Sequence, residues 1–222
     1  MQEIFEGIYK DGNVIYTKNM QIGKRFYKEK IKTIRNEEYR EWDSHRSKYA
    51  AAIANGLSKS IFHYGENVLY LGSAEGQTLS HVSDIVSETG LVFGVDISEI
   101  AMMKLVALAE TRTNILPLLN DAENAQTYAK TIEETCGKVD ALFMDISQRN
   151  QAEIFVKNCQ FLKQHHLGAL VVKIKSISQS KKKEDVLEEE KKTLQKEGLE
   201  IIQVVDLAPY EKHHYLILVK KK

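Results

Sequence analysis

The sequence is poor in features that would mark out several classes of protein. Cysteine occurs only twice in 222 residues, as Cys136 and Cys159, without metal-ligand spacing, so neither a disulfide scaffold nor a cysteine-bound metal is indicated. Both thiols are expected to be ordinary buried side chains in a reducing compartment, which points to the cytoplasm, and no metal site is expected. No apolar run approaches the ~18 residues of a membrane span, and no signal-peptide pattern opens the chain. Neither sign of charge is in excess, with 31 Lys and Arg against 31 Asp and Glu. Bulk charge therefore announces no nucleic-acid partner, and RNA binding would need a local patch or a basic companion protein. No internal repeat or low-complexity tail is present.

What is there centres on residues 67–78, from Asn67 to Thr78. They read as a short buried strand, a glycine turn and the start of a helix running from Leu79 to Val86. Gly72 and Gly76 let the backbone turn sharply and approach a ligand, while the free N–H groups opening the helix offer hydrogen bonds to a polar group. The spacing G-x-x-x-G is not that of a dinucleotide fold, and by itself it also suits a plain structural turn. About twenty residues on, Leu91 to Asp96 form a second apolar strand ending in an acid, where a doubly wound sheet places a ribose-binding carboxylate. Asp96 is also compatible with capping the next helix, although Ser98 can serve there.

The length suits one ordinary domain with a small appendage. Residues 1–44 are expected to be a small N-terminal β domain and 45–222 the main domain. In the appendage, Glu3–Tyr9, the turn Asp11-Gly12-Asn13 and Val14–Thr17 read as a hairpin, with Arg25-Phe26-Tyr27 and Ile31–Ile34 as further short strands. Ser47 to Leu57 is alanine-rich and helical, opened by Lys48, a residue type that is usually a solvated surface charge. Strands ending at Gly72, Asp96, Leu119, Asp145 and Lys175 then alternate with helices, which implies a parallel sheet with right-handed crossovers and helices on both faces. Ligands bind outside the carboxyl ends of such strands, where Asp96, Asp121, Asp145 and Lys175 fall. A charged helix from Glu184 to Glu197 precedes two strands, Leu199–Leu207 and His214–Val219, joined by a short turn. That turn makes them antiparallel and delivers His214 to the same edge.

The segments Tyr70 to Asp84, Arg112 to Ile115, Asp140 to Gln148 and Pro209 to Lys212 resemble the fibrillarin family. So do Phe5-Glu6-Gly7 and Glu38 to Lys48, and the missing glycine- and arginine-rich leader favours its archaeal fibrillarin-like form. The resemblance implies a class I S-adenosylmethionine-dependent methyltransferase fold: Rossmann-like α/β, with a mostly parallel seven-stranded sheet carrying one antiparallel strand. It implies ribose 2′-O-methylation of rRNA, and of tRNA as well, guided by box C/D RNA in a particle with a Nop-domain scaffold and a kink-turn-binding protein. It places cofactor contacts on Gly72, Gln77, Thr78, Asp96, Ile97, Asp121, Ala122, Asp145, Ile146, Ser147 and Gln148. The catalytic set falls on Lys48, Asp145, Lys175 and His214.

Those residue types suit the chemistry. A ribose hydroxyl is a poor nucleophile, so transfer to its oxygen needs proton removal or stabilisation of developing alkoxide. Some positions depart from the family's pattern: Asp96 for glutamate, Gln77 for threonine, Arg149 for proline, and His213 where an aspartate would pair with His214. The basic run Lys181-Lys182-Lys183 reads as a solvated loop rather than a phosphate contact. Two rival readings remain, a non-enzymatic scaffold of an RNA particle and a methyltransferase for another acceptor such as a protein side chain. A nicotinamide oxidoreductase fits poorly with the glycine spacing and the antiparallel last strand.

Overall fold

The computed structural model describes residues 1–222. Two sheets make up the chain. The first is antiparallel, built from β1 (Gln2–Phe5), β2 (Ile8–Asp11), β3 (Val14–Lys18), β4 (Ile31–Ile34) and β5 (Glu37–Trp42) in the order β1-β2-β3-β5-β4. The strand expected at Arg25-Phe26-Tyr27 does not form: both the Phe26 and Tyr27 amides donate to the Glu29 carboxylate, which holds the segment as a turn. Residues 37–42 instead supply β5, which pairs with both β3 and β4.

The second sheet has seven strands: β6 (Asn67–Leu71), β7 (Leu91–Asp96), β8 (Ile115–Leu119), β9 (Val139–Met144), β10 (Leu162–Lys173), β11 (Leu199–Asp206) and β12 (His214–Lys221). Their order is β11-β12-β10-β9-β6-β7-β8, and only β12 runs antiparallel to its neighbours. The inner strands are continuous apolar runs because both sheet faces are covered. Alternate residues go to opposite sides: Val68, Tyr70, Ala141 and Phe143 join one core, and Leu69, Leu71, Leu142 and Met144 the other. Helices α1 (Lys48–Ala54), α2 (Gln77–Val86) and α3 (Glu99–Ala109) bury residues in the first core. Helices α4 (Gln126–Cys136), α5 (Gln151–Asn158) and α7 (Lys183–Lys196) bury theirs in the second. A single turn, α6 (Ile174–Ile177), follows β10. No helix is long and apolar enough to cross a membrane.

Small and main sheets are not separately packed, since Ile8, Ile15 and Trp42 of the small sheet share the first core with α1 and α2. Between them lies a buried polar cluster. Arg40 and Arg112, both fully buried, donate to the two oxygens of Asp84 at 2.7 Å each. Arg40 also donates to Glu29, and the Phe26 ring lies against both guanidinium groups. Thr17 Oγ1 donates to Asp84, so the neighbouring His81 Nδ1–H donates to Thr17. Burial and the two arginines hold His81 well below the ordinary histidine range, in its neutral form.

Candidate active site

The glycine turn between β6 and α2 brings the end of β6 close to the end of β9. Gly72 has φ +79°, and a Cβ there would meet the Asp145 carbonyl oxygen at 2.7 Å. Gly76 caps α2 in the left-handed region with φ 91°. Both positions therefore require glycine, for conformation and for close approach.

At the carboxyl ends of the strands lies a cleft of ≈ 500 Å³. Gly72, Asp96, Ile97, Asp121, Ala122, Asp145, Ile146, Ser147 and Gln148, positions that the family resemblance assigns to the cofactor, line it together with Lys48. Ala74, Val95, Asn120 and Lys173 also line it and were not expected. Asp96 accepts the amides of Ala74 at 2.7 Å and Ser98 at 2.9 Å, which ties the glycine turn to the end of β7. Ser98, not Asp96, supplies the side-chain cap of α3, accepting from Ala101 N–H.

Two expected contacts lie elsewhere. Gln77 lines a separate, smaller cleft with Tyr27, Arg46 and His81, and Thr78 donates to Ser47 Oγ at 3.0 Å. Leu79 and Val82 bury α2 in the core, and in that orientation the two preceding side chains face the small sheet and α1.

Asp145, just past β9, is the hub of the charged group. Lys48, the first residue of α1, donates to its Oδ2 at 3.0 Å and is 20% exposed in its side chain, so it is no solvated surface lysine. Lys173 Nζ, 11% exposed, stands 2.7 Å from Asp145 Oδ1 and donates to the Asp145 carbonyl and Ser147 Oγ. At that distance Lys173 and Asp145 form an ion pair, so each Asp145 carboxylate oxygen faces an ammonium group. Lys175, the lysine expected here, is exposed on α6 and makes no ion pair with Asp145. The physical reason is local. β10 ends at Lys173 rather than Lys175, and the helical turn that follows swings residue 175 away from the strand axis.

His214 opens β12 directly opposite Lys173. Its Nδ1 lies 2.9 Å from the Lys212 carbonyl, which only accepts, so Nδ1 carries the proton and Nε2 of the neutral ring keeps its lone pair. Burial chiefly, with the Lys48 and Lys173 charges, lowers its pKa below the ordinary histidine value despite Glu211 at 3.7 Å. Glu211 is thus a carboxylate within ion-pair range of the ring, although residue 213 is a histidine. In the basic run, Lys181 pairs with Glu189 at 2.7 Å and Lys183 begins α7.

Two ammonium groups, a carboxylate and a neutral imidazole therefore meet beside a cleft whose walls carry two further carboxylates, Asp96 and Asp121. That arrangement can hold a cationic, ribose-containing ligand and stabilise an oxyanion next to it.

A family model described as Fibrillarin matches residues 1–222. A fibrillarin-like rRNA/tRNA 2′-O-methyltransferase of Pyrococcus abyssi is 41% identical, over 98% of this chain and 96% of its own. The crystal structure of Aeropyrum pernix fibrillarin in complex with natively bound S-adenosyl-L-methionine superposes with a TM-score of 0.89 at 37% identity, covering 98% of this chain and 96% of that one. A fibrillarin/Nop5p complex gives 0.86 at 33% identity, covering 100% of both chains. The seven-stranded sheet with its single antiparallel strand is the class I S-adenosylmethionine-dependent methyltransferase fold. By sequence over its whole length and by fold, the chain belongs to the fibrillarin family.

Proposed function

We propose that this chain is an S-adenosylmethionine-dependent ribose 2′-O-methyltransferase acting on rRNA and tRNA. In this reading it works in a particle with box C/D guide RNA, a Nop-domain scaffold and a kink-turn-binding protein, in the cytoplasm. The observation that carries the catalytic part is the Lys48–Asp145–Lys173 cluster beside the cleft, with His214 paired opposite Lys173. The reading of the partners is supported by the relative solved with Nop5p and by a net charge of zero, which leaves RNA affinity to companions.

The residues present fit the cofactor. Asp96 suits a ribose diol, Asp121 the adenine amino group, and Ile97 and Ala122 its flat faces, while the absence of a Cβ at Gly72 leaves the backbone bare beside it. When bound, S-adenosylmethionine supplies an electrophilic methyl on a positively charged sulfur.

The chain's own residues act on the acceptor. Lys173 and Lys48 hold the ribose 2′-oxygen and stabilise the negative charge that grows on it. Asp145 fixes both ammonium groups, one on each carboxylate oxygen, and assists loss of the hydroxyl proton. His214, neutral with Nε2 unprotonated, completes the set without adding a third cation.

The test is tritiated methyl transfer in the assembled particle, with a normal target RNA and one carrying a 2′-deoxy sugar at the guided nucleotide. Transfer that vanishes with the deoxy sugar is expected. Equal transfer to both would move the acceptor off that hydroxyl, and no transfer despite cofactor binding would favour the scaffold reading. Lys175→Ala, included as a further arm, is expected to keep near-normal turnover.

A further inference from the structure

At the end of β9 the sheet opens. The last parallel pairing between β9 and β10 is Leu170 with Met144, after which the chain turns away through residues 145–148 while β10 continues to Lys173. Successive amides along a strand point to opposite sides. The Ile174 amide donates towards β12, to the His213 carbonyl, so the Lys173 amide faces the gap that β9 has left. A buried amide without an acceptor would be costly there, on the order of 1–3 kcal/mol.

Gln151 fills that gap. It is the first residue of α5 and is fully buried. Its Oε1 accepts the Lys173 amide at 2.9 Å, and its Nε2 donates to the Gln148 carbonyl at 2.8 Å. One side-chain amide thus takes the place of the missing ladder partner and pins residues 145–148 to the end of β10. The ammonium end of Lys173 meets the same segment again, at the Asp145 carbonyl and Ser147 Oγ. Lys173 is held at both ends by one loop, and Gln151 supplies the backbone half of that hold.

We propose that Gln151 is a positioning residue for methyl transfer, acting through Lys173 by locking the backbone from which that lysine reaches Asp145. The inference rests on the role given to Lys173 above. It touches neither the acceptor nor the cofactor, since Gln151 does not line the cleft. A mispositioned lysine weakens charge stabilisation at the reacting oxygen, and displacements near 1 Å commonly cost on the order of a hundredfold.

Single-turnover methyl transfer in the assembled particle, with cofactor Kd and Tm measured in parallel, tests this on Gln151→Met, Gln151→Glu, Lys173→Ala and the Gln151→Met/Lys173→Ala double variant. Gln151→Met should lose about 10- to 100-fold in rate with little change in cofactor Kd. Gln151→Glu keeps an acceptor for the Lys173 amide and should retain more activity. It carries the same cycle if the methionine variant does not fold. In the Lys173→Ala background the substitution should cost nothing further, because its route of action is already gone. Full activity in Gln151→Met, a loss that follows cofactor affinity, or an additive loss in the double variant would overturn the clamp. Wild-type turnover in Lys173→Ala would instead overturn the role of the lysine itself.

Discussion

His214 sits beside two lysines, and the sign of its titration follows. Burial and the neighbouring cations favour the neutral ring, so protonation in the folded protein begins only below the ordinary histidine value of about 6.5. The stability linked to this group is complete above the unfolded value and is lost as pH falls through the folded one. Activity follows the same direction, because an imidazolium would repel Lys48 and Lys173 and fill the Nε2 lone pair. We expect single-turnover transfer to have an acid limb lying below pH 6.5, and His214→Ala to flatten that limb while lowering the plateau. An unchanged limb in the alanine variant would assign it to another group. At this scale the sequence was mostly legible, because the first polar residue after each buried run marks a strand end: Asp96 after Val95, Asp145 after Met144. Applied evenly, the same rule selects Lys173 after Val172, whereas Lys175 follows from a strand read two residues too far and from the family pattern laid on that reading. Gln77 and Thr78 were not legible, because which side of a helix's first turn faces a cleft depends on how the whole helix is packed.

The element that steadies the site from behind is α5. Its second residue, Ala152, donates its amide to Glu190 of α7 at 2.8 Å, and burial pushes the Glu190 carboxyl up to about 7. The unfolded carboxyl titrates near 4.3. Between those values the folded protein binds more protons than the unfolded chain, so stability falls as pH rises through that window and stays reduced above it. Glu190→Gln keeps an acceptor for Ala152 and removes the buried charge. It should raise stability at pH 8 by about 1–3 kcal/mol and leave it nearly unchanged at pH 4.5, as read by urea unfolding. Equal effects at both pH values would mean the carboxyl is not titrating in the fold. The parallel strands and their helices were legible as apolar runs punctuated by glycine and polar ends. β5 was not, because the inward side of Tyr39-Arg40-Glu41-Trp42 carries Arg40, whose partners lie far away at Asp84 and Ser80. A charge that is paired only in three dimensions hides the alternation that marks a strand.

For the whole molecule, the joint between the sheets matters most. Asp84, together with Glu29, neutralises two fully buried guanidinium groups, so Asp84→Ala leaves Arg112 without its carboxylate and Arg40 with Glu29 alone. The expected loss is about 3–5 kcal/mol in urea unfolding. Since α2 begins at the glycine turn and carries Asp84, cofactor affinity should weaken along with it. A loss under about 1 kcal/mol would show that water enters and solvates the arginines. The division at residue 44 falls between β5 and α1, and the shared core and this cluster make one continuous interior across it.

The strand order carries one more consequence. β11 touches the large sheet only through β12, which lies between it and β10 although it follows both in the chain. During synthesis residues 199–206 therefore leave the ribosome with no slot to occupy, and must wait until residues 214–221 emerge and insert. The same insertion brings His214 opposite Lys173. A nascent chain thus acquires its last edge strand and the last member of its charged group in one event, and no partly made chain holds the group complete.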